Sequence, residues 1–374
     1  MNEPFQRLLF ITGTRADFGK LKPLIDASVV AGYDVEIFIT GMHLLEEFGL
    51  TKVEVLRTEG VRFFEFINQN YGDAQDVILT KTIIGISDRL RAHHYDLVIS
   101  HGDRVEALAA SIVCSLNNIR SAHVEGGEVS GTVDESMRHC NSKLCTTHFV
   151  SSEVAALRLR RLGESLDRIF VIGSPELDLH SRPSGVAMEE VRSHYEITFD
   201  EFGIVVFHPV VTEQHLLPAQ VDNFKRALLE VKKQFVIIAP NNDPGHEVIV
   251  EAWESIQGEN FRFIPSMRFA YFSELMKHAA AIIGNSSLGV REAPFLGVPS
   301  INLGTRQFKR SVSELIVDVV DFEVNHIVAA IENAWGEKFP SHAGFGHGNA
   351  ARMFVETIND DGFWKLPIQK VFED

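Results

Sequence analysis

Between His101 and Arg138 the chain reads HGDRVEALAASIVCSLNNIRSAHVEGGEVSGTVDESMR, which sets Asp103, Glu125, Glu128, Asp134 and Glu135 among Gly102, Gly126, Gly127 and Gly131. Carboxylates suitably placed take and return protons in catalysis, and glycine lets a backbone come close to a substrate. Taken singly, each acid reads equally well as a helix cap or a solvated side chain, since Asp and Glu are mostly exposed. Grouped in glycine-rich turns, they point to an acid/base site. Asp134 and Arg138 stand four apart in a helix-like segment, so they share a face and can pair.

Candidates for holding an anion are spread along the chain. TGTRADFGK (12–20) carries Arg15 and Lys20, but Gly13 and Gly19 do not make G-x-G-x-x-G, and Leu21 after Lys20 does not fit a P-loop. What is left is a strand-end turn with two cations at a helix start, suited to an anion or serving structure alone. GNSSLGVREAP (284–294) offers Ser286 and Ser287 where they open a helix, so that free N–H groups and hydroxyls can hold a phosphate, and Glu292 to accept from ribose hydroxyls. An ordinary N-cap at Asn285 or Ser286 accounts for the same residues. His208 in FHPVVTE fits a phosphate donor or a packed imidazole. A metal is disfavoured: no second histidine follows at i+3 to i+5, and His101, His123 and His208 are far apart. Asn242 in PNNDPG, Arg268 beside the aromatics of PSMRFAYF, and Arg306 in GTRQFKR are further loop candidates.

These residues need strands that end where they stand. DLVIS (96–100) reads as a buried strand before the HGD turn, Val105 to Leu116 as a helix, and Arg120 to Val124 as the next strand. Strands are also predicted at 7–12, 34–40, 147–151 and 169–172, with helical periodicity over 18–31, 43–58, 76–92 and 153–162. This alternation is that of a parallel sheet with helices on both faces, whose ligands sit at the carboxyl ends of the strands. GSPELDLHSRPSG (173–185) is rich in Gly, Pro and Ser and marks a boundary, after which strands recur at 203–207, 235–239, 261–264, 281–283 and 300–303. The fold class is therefore α/β, with two Rossmann-like domains, residues 1–175 and 176–374, and a ligand cleft between them. The helical pattern at 350–358 is assigned to the second domain by position, its return to the first being the alternative the sequence leaves open.

The chain has 374 residues, enough for about two domains, and 45% are hydrophobic, which argues against disorder. A formal net charge of −16 excludes nucleic-acid binding through a basic surface. No apolar stretch approaches the roughly 18 residues of a membrane span, and the first residues lack a signal pattern. Cys114, Cys140 and Cys145 are odd in number and lack C-x-x-C spacing, so neither a disulfide frame nor a zinc site is expected. These features predict a soluble cytoplasmic protein.

Taken together, TGTRADFGKLKPL, TGMH, HGDRVEALA, VEGGEVSGTVDESMRH, GSPELD, FHPVVTE, NNDPG, GNSSLGVREAP and GTRQ resemble the hydrolysing UDP-N-acetylglucosamine 2-epimerases of sialic acid biosynthesis, in order and over most of the chain. The resemblance implies a GT-B fold with UDP in the cleft, no cofactor, and a homodimer or homotetramer. It implies the reaction of UDP-GlcNAc with water to give ManNAc and UDP. Motif by motif, it makes Asp103, Glu125 and Asp134 catalytic. Arg15, His208, Ser286, Ser287 and Glu292 become UDP contacts, with Lys20, Arg138, Asn242, Arg268 and Arg306 further substrate-binding candidates. Glu135 departs from a second Asp common in relatives. EFINQN and QKVFED are similar to a sub-branch acting on a UDP-linked 2,4-diacetamido-6-deoxy sugar, en route to legionaminic acid. Two rivals of other kinds are a GT-B glycosyltransferase and a non-catalytic nucleotide-sugar sensor.

Overall fold

The computed structural model describes residues 6–129, 133–240, 243–256, 258–307, 310 and 313–371. The chain forms two compact units, Met1–Asp178 with Gly346–Asp374, and Leu179–Phe345. In the first unit β1 (Arg7–Thr12), β2 (Asp34–Ile39), β3 (Arg62–Glu65), β4 (Leu97–His101), β5 (Ser121–Val124), β6 (Thr147–Val150) and β7 (Ile169–Val171) form a sheet ordered β3-β2-β1-β4-β5-β6-β7. In the second, β8 (Gly203–Val206), β9 (Phe235–Ile238), β10 (Phe261–Ile264), β11 (Ala281–Gly284), β12 (Ser300–Leu303) and β13 (Ile316–Val319) are ordered β10-β9-β8-β11-β12-β13. Every pairing is parallel.

Apolar runs such as RLLFIT suit such strands because both faces are covered. Leu8 and Phe10 of β1 enter one core cluster and Leu9 and Ile11 another. In β8, Val205 lies in one cluster while Ile204 and Val206 lie in a second. Alternate residues thus face opposite layers of helices. Two such sheets in one chain are the GT-B class implied by the sequence.

Three differences separate the structure from the sequence reading. The helical pattern at 43–58 is broken into the 3-10 turns Gly41–Leu44 and Glu46–Phe48 and the short helix Lys52–Val55. Left-handed Gly49 and Leu50 interrupt it. Strands β3 and β13 are not predicted: both are edge strands with exposed positions, which the predicted edge strands β7 and β10 lack. The third difference concerns residues 346–374, placed by position in the second domain, which belong to the first unit. Helix Ala350–Ile358 buries Ala350, Ala351, Phe354 and Ile358, and the Phe354 ring meets Phe149 edge-on at 4.6 Å between centroids. Among the described residues, no helix is long and apolar enough to cross a membrane.

The amino end of that last helix is capped from a distance. Asn349 makes no side-chain capping bond; the buried Asp178 carboxylate instead accepts the N–H of Ala350 at 2.8 Å and of Ala351 at 2.7 Å. Replacing Asp178 by Ala should therefore lower unfolding stability by about 2 kcal/mol, the loss of a charged cap with two donors left buried. An unchanged urea midpoint, read through Trp364 fluorescence, would contradict this role.

Candidate active site

In the first sheet the strand order reverses between β1 and β4, so loops after β1, β4 and β5 surround the switch point. The HGD turn is fixed through its glycine. Gly102 N–H donates to Val124 C=O at 3.0 Å, and Gly102 C=O accepts from His123 Nε2 at 2.7 Å and Asn141 Nδ2 at 3.0 Å. Burial pulls the His123 pKa down to about 3, so the ring is neutral near pH 7. With Nε2 carrying the hydrogen, Nδ1 accepts from Ser142 Oγ at 3.0 Å. Asp103 follows this turn, with its carboxylate on the guanidinium of buried Arg138, which also donates to Glu128 C=O at 3.1 Å.

Glu125 stands at the end of the neighbouring strand. Its N–H donates to Phe149 C=O at 2.8 Å, and its backbone is left-handed, with φ 62°. A side chain there is strained, a condition concentrated at functional sites. The carboxylate is buried, with Lys20 Nζ at 3.0 Å and His101 Nε2 at 3.2 Å from Oε2, while Ser174 Oγ donates to Oε1. Lys20 also reaches Glu176 at 3.2 Å. Gly127 closes the turn at φ 76°, and a Cβ on it would lie 2.3 Å from Ala155 C=O, so no other residue fits.

The β1 turn, suited by sequence to an anion or to structure alone, has acceptors of its own. Asp17 accepts the N–H groups of Gly13 and Thr14, each at 3.1 Å, and forms a capping box with Thr14. Two amides that would face an anion thus have an internal acceptor. Arg15 is half exposed and pairs with Glu54 at 3.1 Å, while Lys20 is turned to the two glutamates. Buried Glu106 packs so closely under Gly13 that a Cβ there would come within 2.8 Å of it, and it pairs with Arg104 at 3.3 Å. That pairing is the main reason the Arg104 pKa is raised, with Asp17 and Asp134 adding to it. Asp134 is exposed in the first turn of helix Val133–Leu144, one turn ahead of Arg138. Residues 130–132, between it and the β5 loop, lie outside the described residues.

The second sheet reverses between β8 and β11, and the loops there interlock. Asn285 Oδ1 accepts His208 N–H at 2.7 Å and its Nδ2 donates to His208 C=O at 2.8 Å, while Arg306 donates to Asn285 C=O at 3.1 Å. Asn285 therefore ties two loops rather than capping a helix. Ser286 occupies an N-cap position without a side-chain capping bond. The helix expected to open at Ser286 and Ser287 is instead the turn Ser287–Gly289 followed by the four-residue helix Glu292–Phe295. Pro294 has no N–H to carry a longer helix through. Glu292 is mostly buried, with Oε1 2.8 Å from His180 Nε2. Arg268 is exposed at the start of helix Phe269–Lys277, its N–H donating to Tyr195 Oη at 3.0 Å. Asn242 lies outside the described residues.

The structure thus joins Lys20 to Glu125, Arg138 to Asp103, and His208 to Arg306 through Asn285. Arg15 pairs instead with Glu54, and the Arg268 N–H with Tyr195. Glu106, Ser174, Glu176 and His180 were not singled out from sequence. GSPELDLH held the signal for three of them: Ser174, Glu176, Asp178 and His180 alternate in it, and all are buried. Among the described residues no group of three or more His, Cys, Asp or Glu is arranged to hold a metal.

Neutral buried histidines set an acid limit on stability. Burial lowers the His43 pKa to about 4 and that of His123 to about 3, against 6.5 in an open chain. Below pH 6.5 the unfolded chain binds more protons, so stability complete above that value falls as pH drops towards 4. Each histidine contributes about 1.4 kcal/mol per pH unit in that window. Urea midpoints measured from pH 7 to 4.5 should decline accordingly, and less steeply in folded His123→Gln. Equal slopes would rule out the assignment.

Known proteins carry the same organisation. A family model described as UDP-N-acetylglucosamine 2-epimerase matches residues 29–359. The chain is 42% identical over 375 residues to UDP-N-acetylglucosamine 2-epimerase of Neisseria meningitidis serogroup B, covering 99% of each. It is 31% identical over 336 residues to UDP-N,N'-diacetylbacillosamine 2-epimerase (hydrolyzing) of Legionella pneumophila, 88% of this chain and 89% of that one. Against polysialic acid biosynthesis protein P7 of Escherichia coli the identity is 28% over 349 residues, 90% of this chain and 88% of that one. A solved UDP-GlcNAc 2-epimerase from Neisseria meningitidis, bound to UDP-GlcNAc, shares the fold with TM-score 0.80 at 20% identity, over 95% of this chain and 100% of that one. The match across nearly the full length of both sheets and their loops places the chain in the UDP-N-acetylglucosamine 2-epimerase family.

Proposed function

We propose that this protein is a hydrolysing UDP-N-acetylglucosamine 2-epimerase, converting UDP-GlcNAc and water to ManNAc and UDP in the supply of sialic acid. The observation that carries the proposal is the pair of carboxylates at the ends of adjacent strands, Asp103 on Arg138 and Glu125 on Lys20. A relative named as hydrolysing, with UDP-N,N'-diacetylbacillosamine as its sugar, supports the hydrolytic outcome, and a polysialic-acid relative supports the sialic acid branch.

The hydrogen on C2 of the sugar is not acidic, so epimerisation proceeds through loss of the anomeric group. A carboxylate takes the C2 proton, the electron pair forms the C1–C2 double bond, and the C1–O bond breaks to release UDP. Water then adds at C1 of the 2-acetamidoglucal while C2 is protonated from the opposite face. Removing a proton from one face and returning one to the other needs more than one acid/base group, which Asp103, Glu125 and Asp134 provide. Lys20 pairs with Glu125 and Arg138 with Asp103, so each cation offsets the charge of one carboxylate. Ser286, Ser287, His208 and Arg306 are the groups we assign to the diphosphate, and Glu292 the one we assign to the ribose.

NMR of UDP-GlcNAc with the enzyme in D2O tests the reaction directly. Free UDP and ManNAc bearing deuterium at C2 should accumulate, with chelator present and no nicotinamide added. UDP-ManNAc as the end product would refute hydrolysis, transfer to an acceptor would favour a glycosyltransferase, and binding without turnover a sensor. Asp103→Asn, Glu125→Gln and Asp134→Asn should each lower kcat by about 10²- to 10⁴-fold. Near-normal kcat in all three would end the acid/base assignment. A kcat/KM at least tenfold higher for the 2,4-diacetamido-6-deoxy substrate would move the assignment to that sugar.

A further inference from the structure

His180 has no part in the chemistry above, yet it is fully enclosed in the second unit and bonded on both ring nitrogens. Nδ1 lies 2.8 Å from Ser273 Oγ and Nε2 lies 2.8 Å from Glu292 Oε1. The ring also packs 5.2 Å from Phe269. An ionised carboxylate can only accept, so Nε2 carries a hydrogen; in the neutral ring Nδ1 then accepts the Ser273 hydroxyl hydrogen. The Ser–His–Glu connectivity is not a nucleophilic triad, because Ser273 is 1% exposed inside a helix, out of reach of any substrate. The direction of the chain is the reverse: Ser273 orients the ring and the ring orients Glu292.

Glu292 is in need of such a hold. It begins a helix of four residues, and its own side chain has three rotatable bonds. A charge-assisted bond to one oxygen fixes the plane of the carboxylate. The side chain remains 11% exposed, so the group is restrained without being sealed.

We propose that His180 is a positioning residue for nucleotide recognition: braced by Ser273, it presets the Glu292 carboxylate to accept both hydroxyls of the ribose in a uridine diphosphate ligand. This rests on the assignment of Glu292 to ribose made above. Restraint before binding spares the ligand the ordering of a free side chain.

The test compares UDP with 2′,3′-dideoxy-UDP, by calorimetric titration of the full-length protein. The native protein should prefer UDP, and Glu292→Gln should abolish most of that preference. His180→Leu should reduce the preference about tenfold, the scale of one hydrogen bond to an ionised group, while affinity for the dideoxy compound stays within about twofold. His180→Gln, whose amide can replace the Nε2 donor, should restore most of it. Ser273→Ala, which leaves the ring in place, should shift the preference in the same direction and serves if His180→Leu does not fold. Full preference in the His180 and Ser273 variants alongside loss in Glu292→Gln would overturn the positioning role alone. Equal weakening of both nucleotides would also overturn it, by showing a structural role. Undiminished preference in Glu292→Gln would overturn the ribose assignment itself.

Discussion

A carboxylate moved from water into a protein interior loses several kcal/mol of solvation, and Glu125 sits in such a place on a left-handed backbone. It is tolerated because groups from separate parts of the first unit converge on it. Lys20 comes from the helix after β1, His101 from the end of β4, and Ser174 from the segment after β7. Removing any of these elements would leave a buried charge without its compensation. The carboxylate thereby makes the relative placement of β1, β4, β5 and β7 a condition of its own survival, and the same groups hold it in one orientation for chemistry.

A second constraint operates in both units. Loops at a switch point carry backbone polar groups into enclosed surroundings, where each needs a partner. In the first unit His123 and Asn141 converge on Gly102 C=O; in the second Asn285 serves both backbone groups of His208. These side chains touch loop backbone rather than substrate-facing groups, yet they determine where Asp103 and His208 emerge. The His123 ring could donate to Gly102 C=O in either charge state, but only the neutral ring that burial enforces leaves Nδ1 free to accept from Ser142.

What could be read from sequence followed the strength of the physical signal. Central strands such as β1 and β8 are continuous apolar runs, and the acids beside glycine were visible because two unlike requirements met at one place. Edge strands β3 and β13 were illegible, since partial exposure dilutes their apolar pattern. Arg15 and Lys20 show the limit for sites. Residue type reveals that a cation is present, but not whether an anion outside the chain or a glutamate within it will be its partner. Asn285 and Glu292 share that ambiguity, because their partners His208 and His180 lie 77 and 112 residues away. Such pairings depend on tertiary placement and leave no local pattern.

The return of the last helix to the first unit affects the order in which a growing chain can fold. Unit two, Leu179–Phe345, is uninterrupted and can complete its core as it leaves the ribosome. The seven-stranded sheet is translated earlier but must wait for Phe354 and Phe363 before Phe10, Phe149 and Phe170 are covered. For the time needed to synthesise nearly half the polypeptide, the nascent amino-terminal sheet therefore carries an open aromatic surface. That interval, rather than the finished enzyme, is when this architecture is most exposed to chaperone capture and to association between neighbouring nascent chains.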